Sequence, residues 1–586
     1  MEAVRVIQHQ LRQRWDSFQY TPVGKAEYGA DVKKRPAWGS LLRISLCVVG
    51  IISIIIGARS YMTSGTHILT DGSYAYDASL QDHWFNILPG TKRFVVVILA
   101  NGPGTSICKV MMSAIAMGYP MPVIVNWDQQ LDDYFPSYVR KTNPDHIGPE
   151  LLKIVSALEY LDEVSQKTAN RHERLDEDDL VLFVDSSDIW FQVPPEVLIR
   201  RYHQQNEEAN NRMLQLWPGE KGDMPMHQSI IMPAQKKCDP LPGGAYDLKC
   251  DKLPDSPLRW DLYGWGTDPS PKKFDKPSAD AYSKVRPKFL DNGAILGTVE
   301  DLRKYLRKSK AKMDEKTATD RRQVRSAKGM MAEIFGEQEV FRTWQRKGRE
   351  SWSNPGELFI MQNEYEYGVG LDYKQQISVS TEFGEKHGDI VAMNDTKLID
   401  EQSRERGIKT RLHGVPPDIE QATNPLSRLE QFQDKNVTAW GDLPMYADFY
   451  TASVPAMVHH NAHSENLENR QTLWWNRMWY FPYLRDLVNA RLESNSTDPI
   501  VEIRARNGRK AKYFPLQADR AKRRPRIFYQ GFGKVGLMGA QWDQMCMSDT
   551  GSTVHWTEEV FRDGKGALGE SLLLEELEDE PNSEED

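Results

Sequence analysis

The chain has 586 residues, 40% of them hydrophobic and 27% charged, with a formal net charge of -9. Such a chain is globular with ample material for a large core, and its acidic balance argues against nucleic acid as the main partner, because a phosphate-binding face needs a basic surplus. The 16 Trp and 23 Tyr suit a protein that stacks sugar rings or bases, and suit a core equally well.

Residues 1–40 are polar and carry Arg5, Arg12, Arg14, Lys25, Lys33, Lys34 and Arg35. Leu41 to Ala58, LLRISLCVVGIISIIIGA, is almost wholly apolar, and its one charge is Arg43. As a helix it spans roughly 27 Å, enough for a thin early-secretory bilayer. A cleaved signal peptide would place its apolar region nearer residue 1. Before the span the flank is basic, and after it only Arg59 precedes Lys92. The positive-inside rule then puts residues 1–40 in the cytosol and all that follows residue 58 in the lumen. Glycosylation sequons at Asn394, Asn436 and Asn495 fall on the luminal side. Cys47 lies in the span, while Cys238 and Cys250 bracket CDPLPGGAYDLKC and are expected to form a short disulfide. No pairing is assigned to Cys108 or Cys546, and no Cys/His cluster has zinc spacing.

Residues 59–92 read as a luminal stem rich in Gly, Ser, Thr and Asp. From Arg93 the run RFVVVILANGPG reads as a strand buried on both faces that ends in a loop. A helix over Ser106–Met117 and a second strand in MPVIVNW follow. Apolar residues at 151, 152, 154, 155, 158 and 161 then mark an amphipathic helix, and LVLFV is a third strand. This alternation predicts an α/β fold with a mostly parallel sheet flanked by helices. In such sheets ligands sit beyond the carboxyl ends of the strands, where Asn101, Trp127 and Asp185 fall. Further on, residues 305–330 read as a long solvated helix or mobile insertion, residues 385–445 as extended loops, and QTLWWNRMWYFPYLRDLV as an aromatic helix. The acidic end, residues 569–586, is expected to be disordered.

Asp185 and Asp188 stand three apart after the third strand, in VDSSDIWF. Carboxylate oxygens are hard ligands that suit Mn²⁺ or Mg²⁺, and a cation held there can neutralise a diphosphate leaving group. The competing explanation is a helix cap for the segment starting at Pro195-Glu196. An aspartyl-nucleophile phosphatase would need Asp-x-Asp-x-Thr, which Asp-Ser-Ser-Asp lacks. Three later stretches bear on the choice: FLDNGAILG, GEQEVFRTW and MVHHNA.

Together with IIMPAQKKCDP and VGLDYKQQI, these stretches resemble in order and approximate spacing the glycosyltransferase domain of the procollagen lysyl hydroxylases and, more distantly, the procollagen galactosyltransferases. The resemblance runs from about residue 93 to about 485. It implies a GT-A fold and a UDP-sugar donor bound through Mn²⁺. Carried onto this sequence, the metal ligands are Asp185, Asp188 and His459, with His460 the competitor for the third position. Asn101, Gly102, Trp127, Lys153 and Asp185 fall on the donor side, where Trp127 is suited equally to stacking on the base and to packing in the core. Asn292, Glu337 and Gln338 take the catalytic positions. The sequence departs from the family where an acidic pair becomes Gly336-Glu337, where a glutamate becomes Gln235, and where a glycine becomes Ala462. After residue 485 no His-x-Asp iron motif appears, so no hydroxylase domain is expected.

The expected organisation is a cytosolic tail (1–40), a transmembrane signal-anchor (41–58), a stem (59–92), a GT-A domain (93–485), a C-terminal extension (486–568) and an acidic tail (569–586). The expected activity is transfer of a hexose from a UDP-sugar to a glycan or glycoprotein hydroxyl, in a single-pass type II protein of the Golgi or endoplasmic reticulum membrane. The alternative is a non-catalytic luminal scaffold that retains the fold, a reading favoured by the missing acidic pair.

Overall fold

The structure is a computed structural model that describes residues 89–127, 129, 134, 147–239, 245–263, 284–319, 323–347, 365–433, 438–461, 473–494, 496, 498–504, 508–516, 524–531, 534–547, 554–566 and 568. All lie within Asp77–Asp586. The expected tail, the membrane span at 41–58, the sequons at Asn436 and Asn495 and the acidic end fall outside the described residues. No helix among the described residues is long and apolar enough to cross a membrane.

The first strand, β1 (Gly90–Leu99), begins inside the segment expected to be stem. Phe94, Val96 and Ile98 enter one hydrophobic cluster, and Val95, Val97 and Leu99 enter another. Side chains alternate faces along a strand, so a strand covered on both sides is apolar at every position. Next come α1 (Thr105–Met117), β2 (Val123–Val125), α2 (Leu152–Val164) and β3 (Leu180–Asp185). β3 repeats the pattern, with Leu180, Leu182 and Val184 on one face and Val181 and Phe183 on the other. At the end of α1, Gly118 adopts φ 92°, and the Arg428 guanidinium fills the space where its side chain would be. From there Arg428 Nη1 donates to the Ala116 carbonyl (3.3 Å), a cation at the negative end of the helix.

The chain continues through β4 (Ile189–Phe191), α3 (Pro195–Leu216), β5 (Ile230–Gln235), β6 (Phe289–Leu290), β7 (Ala294–Thr298), α4 (Val299–Thr319) and α5 (Ala327–Lys347). It then forms β8 (Val369–Asp372), β9 (Ser378–Ser380), β10 (Gly388–Ala392), α6 (Thr396–Glu405), β11 (Pro444–Asp448), β12 (Met457–His459) and α7 (Leu484–Glu493). β13 (Val501–Arg504), β14 (Lys510–Pro515), β15 (Arg526–Gly531) and β16 (Lys534–Gly539) follow. The main sheet runs β16-β15-β2-β1-β3-β7-β5-β6. β2, β1 and β3 are mutually parallel, β7 is antiparallel to β3, and β8 pairs parallel with β5. The result is a mixed α/β fold with a mostly parallel central sheet flanked by helices. A second sheet, β4-β12-β9, stands at the carboxyl end of β3.

Three expectations about the later chain change. The charged stretch after residue 305 is α4, and only one stripe of it is solvated: Leu302, Tyr305, Leu306, Ser309 and Met313 are buried at helical spacing. Residues 385–445 hold β10, α6, short helical turns and β11. The aromatic run is not one helix but a turn, a 3-10 turn at Phe481–Tyr483 and then α7.

The extension after residue 485 is part of the core. β14 pairs with the first half of β1, Gly90 opposite Ala511, while β2 takes the second half. β15 pairs with β2, and the Phe528 ring meets Tyr160 of α2 edge-on at 5.4 Å. Cys546 is disulfide-bonded to Cys108 of α1, and the expected Cys238–Cys250 pair is also bonded.

His203 of α3 ties this extension to the body, with Nε2 2.9 Å from the Tyr513 hydroxyl. Burial, helped by the nearby Lys92 charge, pushes its pKa down to about 4. A folded pKa below the unfolded value of about 6.5 means that neutral His203 contributes stability above that pH. That contribution, up to about 3 kcal/mol, is lost as pH falls from about 6.5 towards 4. Melting curves at pH 7 and pH 4.5 check this: His203→Gln should narrow the difference between them, and an unchanged difference would remove His203 as its source.

Candidate functional site

Asp185 closes β3, and its backbone N–H donates to the Gly293 carbonyl (3.0 Å). Two serines turn the chain, and Asp188 leads into β4. Because β4 pairs antiparallel with β12, Ile189 stands opposite His459. The His460 N–H donates to the Asp188 carbonyl (2.7 Å). The register of two short strands therefore joins parts of the chain that are remote in sequence. His459 Nε2 lies 3.1 Å from Asp188 Oδ1, and Nδ1 lies 3.0 Å from Asp291 Oδ2. All three side chains are buried. Burial disfavours an imidazolium, but the two carboxylates outweigh it and hold the His459 pKa well above the usual histidine range.

Asp185 is placed differently. It is partly exposed, and its Oδ2 lies 2.7 Å from Lys153 Nζ of α2 while the Ser187 hydroxyl donates to Oδ1 (3.2 Å). Burial works against its charge, yet Lys153 and then His459 outweigh it and lower its pKa. Of the three residues expected to converge, two are in direct contact. Asp188 and His459 touch, whereas Asp185 is engaged by Lys153. Among the described residues, no three His, Cys, Asp or Glu side chains are grouped closely enough to hold a metal ion.

The pair that does meet fits a hard divalent cation on two counts. Asp188 Oδ1 is buried and receives no hydrogen bond. Its 3.1 Å separation from Nε2 matches the roughly 3 Å between adjacent ligands of an octahedral ion with bonds of about 2.1 Å. A carboxylate with an imidazole also suits Mn²⁺. Asp188 does not cap α3, whose first turn follows Pro194 without a side-chain cap.

His460 is placed apart from this pair. Its ring is fully buried, with its centroid 3.9 Å from that of Trp190, and it packs into the core. Asn461, two residues beyond His459, accepts from the Ser380 hydroxyl (2.9 Å) and the Glu382 N–H (3.0 Å), fastening the end of β9 beside the end of β12. That loop brings Glu382 to Lys328 (3.4 Å), which also meets Asp239 (2.9 Å). Around the site, Asp185, Asp188, Asp239, Asp291 and Glu382 thus face Lys153, Lys328 and His459.

At the neighbouring strand ends, Asn126 has φ 71° at the exit of β2, and its amide donates to Asn101 at the exit of β1. Its carbonyl accepts from the Ser156 hydroxyl of α2 (2.9 Å). The space beside Gly102 is open. Trp127 is partly buried and packs against the core. Asn292 lines a recess together with Lys153 and Asp185.

The other two residues expected to be catalytic point elsewhere. Glu337 of α5 binds Lys312 of α4 (2.6 Å), a helix-to-helix tie. Gln338 is fully buried, its amide donating to the Val369 carbonyl (2.8 Å) while its oxygen accepts from the Tyr367 and Val369 N–H groups (3.1 Å each). It holds β8 in place and has no opening to the cleft. Gly336 is required by packing, since a Cβ there would lie 2.7 Å from the Leu248 carbonyl. Sequence reasoning missed Asp291, Asn126 and Lys328. The only signal for Asp291 was its place before Asn292-Gly293, which drew attention as a turn.

Gly293 is held by the site itself, because a Cβ there would collide with Nδ1 and Cε1 of His459. Gly293→Ala should leave the protein folded yet weaken Mn²⁺ binding at least tenfold by displacing the ring. Titration calorimetry would reveal this, and unchanged affinity would mean that the ring position is unimportant.

Compared with known proteins, the chain matches no family model and no curated protein.

Proposed function

We propose that the chain is a metal-dependent glycosyltransferase with a GT-A fold, transferring a hexose from a UDP-sugar to a glycan or glycoprotein hydroxyl. The observation that carries the reading is the Asp188–His459 pair, with a buried carboxylate oxygen that receives no hydrogen bond, at the carboxyl end of a central parallel strand. Asp188 and His459 would hold Mn²⁺ or Mg²⁺. When bound, the cation supplies charge neutralisation for a departing diphosphate. Lys153, beside Asp185 on the same rim, adds a fixed positive charge for the phosphates. Asn101 and Asn126 offer amide groups at the ends of β1 and β2, where a uracil edge can be hydrogen-bonded. Asn292, in the recess with Lys153 and Asp185, is suited to contact the sugar.

The same proposal places the protein in the Golgi or endoplasmic reticulum membrane, anchored through residues 41–58 as a type II protein with its catalytic part in the lumen. Two disulfides support an oxidising compartment. A donor-hydrolysis screen with several UDP- and GDP-sugars, with and without Mn²⁺, tests the activity. Mn²⁺-dependent cleavage of a UDP-sugar is expected. Absence of cleavage across the panel would favour the scaffold alternative.

A further inference from the structure

His459 is held from two sides, and the two contacts are not equivalent. Asp291 Oδ2 lies 3.0 Å from Nδ1 in hydrogen-bonding geometry. Asp188 Oδ1 lies 3.1 Å from Nε2 but receives no hydrogen bond. Asp291 is in turn fixed by its surroundings. It is 1% exposed, its backbone N–H donates to the Pro233 carbonyl of β5 (3.0 Å), and its Oδ2 accepts from the Gly293 N–H (3.3 Å). Gly293 packs directly against the imidazole and leaves no room for the ring to shift toward β7. One side of the histidine is therefore held by a hydrogen bond and a backbone wall, and the other meets Asp188 as an ion pair.

We infer that Asp291 is a positioning residue for His459, accepting a hydrogen bond from Nδ1–H and so presenting the Nε2 lone pair beside Asp188 as a cation ligand. The inference rests on the metal-dependent reading above and adds the residue that orients the ligand. Neutral imidazole carries one N–H, and Nδ1, hydrogen-bonded to Asp291 and walled in by Gly293, keeps it when a cation takes Nε2. The other nitrogen is then the donor to a metal, and outer partners of this kind commonly change metal affinity 10–100-fold. Asp291 touches the imidazole and not the reacting atoms, so its effect is exerted through His459.

Mn²⁺ affinity of the full chain, measured by titration calorimetry, tests the inference. Asp291→Ala should bind Mn²⁺ 10–100-fold more weakly than the wild type. Asp291→Asn, whose carbonyl oxygen can still accept from Nδ1–H, should recover most of the loss, a rescue that a purely packing role would not give. Wild-type protein labelled with ¹⁵N-histidine and loaded with Mg²⁺ provides a second readout that needs no folded alanine variant: the His459 signals, identified by their loss in His459→Gln, should report a protonated Nδ1. A wild type that binds Mn²⁺ alongside an equally tight Asp291→Ala, or a protonated Nε2, overturns the inference alone. A wild type that binds no Mn²⁺ overturns the metal reading and this inference with it.

Discussion

Asp188→Asn should cut Mn²⁺-dependent hydrolysis of a UDP-sugar by about a thousandfold or more. A cation neutralising a leaving diphosphate supplies several kcal/mol, and about 4 kcal/mol corresponds to about three orders of magnitude in rate. The fold should survive. The His460 N–H bonds to the Asp188 main-chain carbonyl, which the substitution leaves in place, and the β4–β12 register is likewise main-chain. Asn has nearly the volume of Asp, and the lost contact with His459 should lower stability by about 1–3 kcal/mol. Initial rates across a Mn²⁺ series, with a melting curve for each protein, separate these effects. Asp185→Asn is the informative companion, because Asp185 is paired with Lys153. An Asp188→Asn rate within threefold of wild type would mean that this carboxylate holds no catalytic cation.

Breaking the Cys108–Cys546 disulfide should be the most destabilising change outside the site. The bond closes a sequence separation of 438 residues, against 12 for Cys238–Cys250. On the loop-entropy estimate the long closure contributes about 6 kcal/mol and the short one about 3 kcal/mol. Both Cys108 and Cys546 are fully buried, and the Gly104 N–H donates to the Met545 carbonyl beside the bond (2.9 Å), so the bond ties the start of α1 to the extension. Cys108→Ala/Cys546→Ala should therefore lower the denaturant midpoint more than Cys238→Ala/Cys250→Ala. Equal losses would show that the length of the closed loop does not set the bond's contribution.

The first half of the fold was legible because its signals are local. Val95 to Leu99 and Leu180 to Val184 are buried on both faces and so read as unbroken apolar runs, and α2 shows its buried stripe at helical spacing. The extension was illegible for the opposite reason. β14, KAKYFP, exposes Lys510 and Lys512 on alternate positions and reads as a charged surface segment until β1 supplies its partner. The Cys108–Cys546 pairing depends on distant elements that no spacing rule connects. Within the site, Asp185 and Asp188 stood out as carboxylates on the turn that closes an apolar strand, and His459 through the motif it resembles. Asp291 did not, since it reads as part of a turn. For Glu337 and Gln338 a motif match fixes position along the chain but not the helix face. On α5 one turns to Lys312 and the other to the backbone of β8.

UDP binding to the wild-type chain, measured calorimetrically with and without Mn²⁺ at fixed pH and salt, decides whether the site holds a diphosphate through a cation. If Asp188 and His459 hold a cation that in turn meets a diphosphate, Mn²⁺ should tighten UDP binding at least tenfold, and Asp188→Asn should abolish that gain while leaving the metal-free affinity within about twofold. UDP affinity that is the same with and without Mn²⁺, in a folded wild-type protein, would contradict the account.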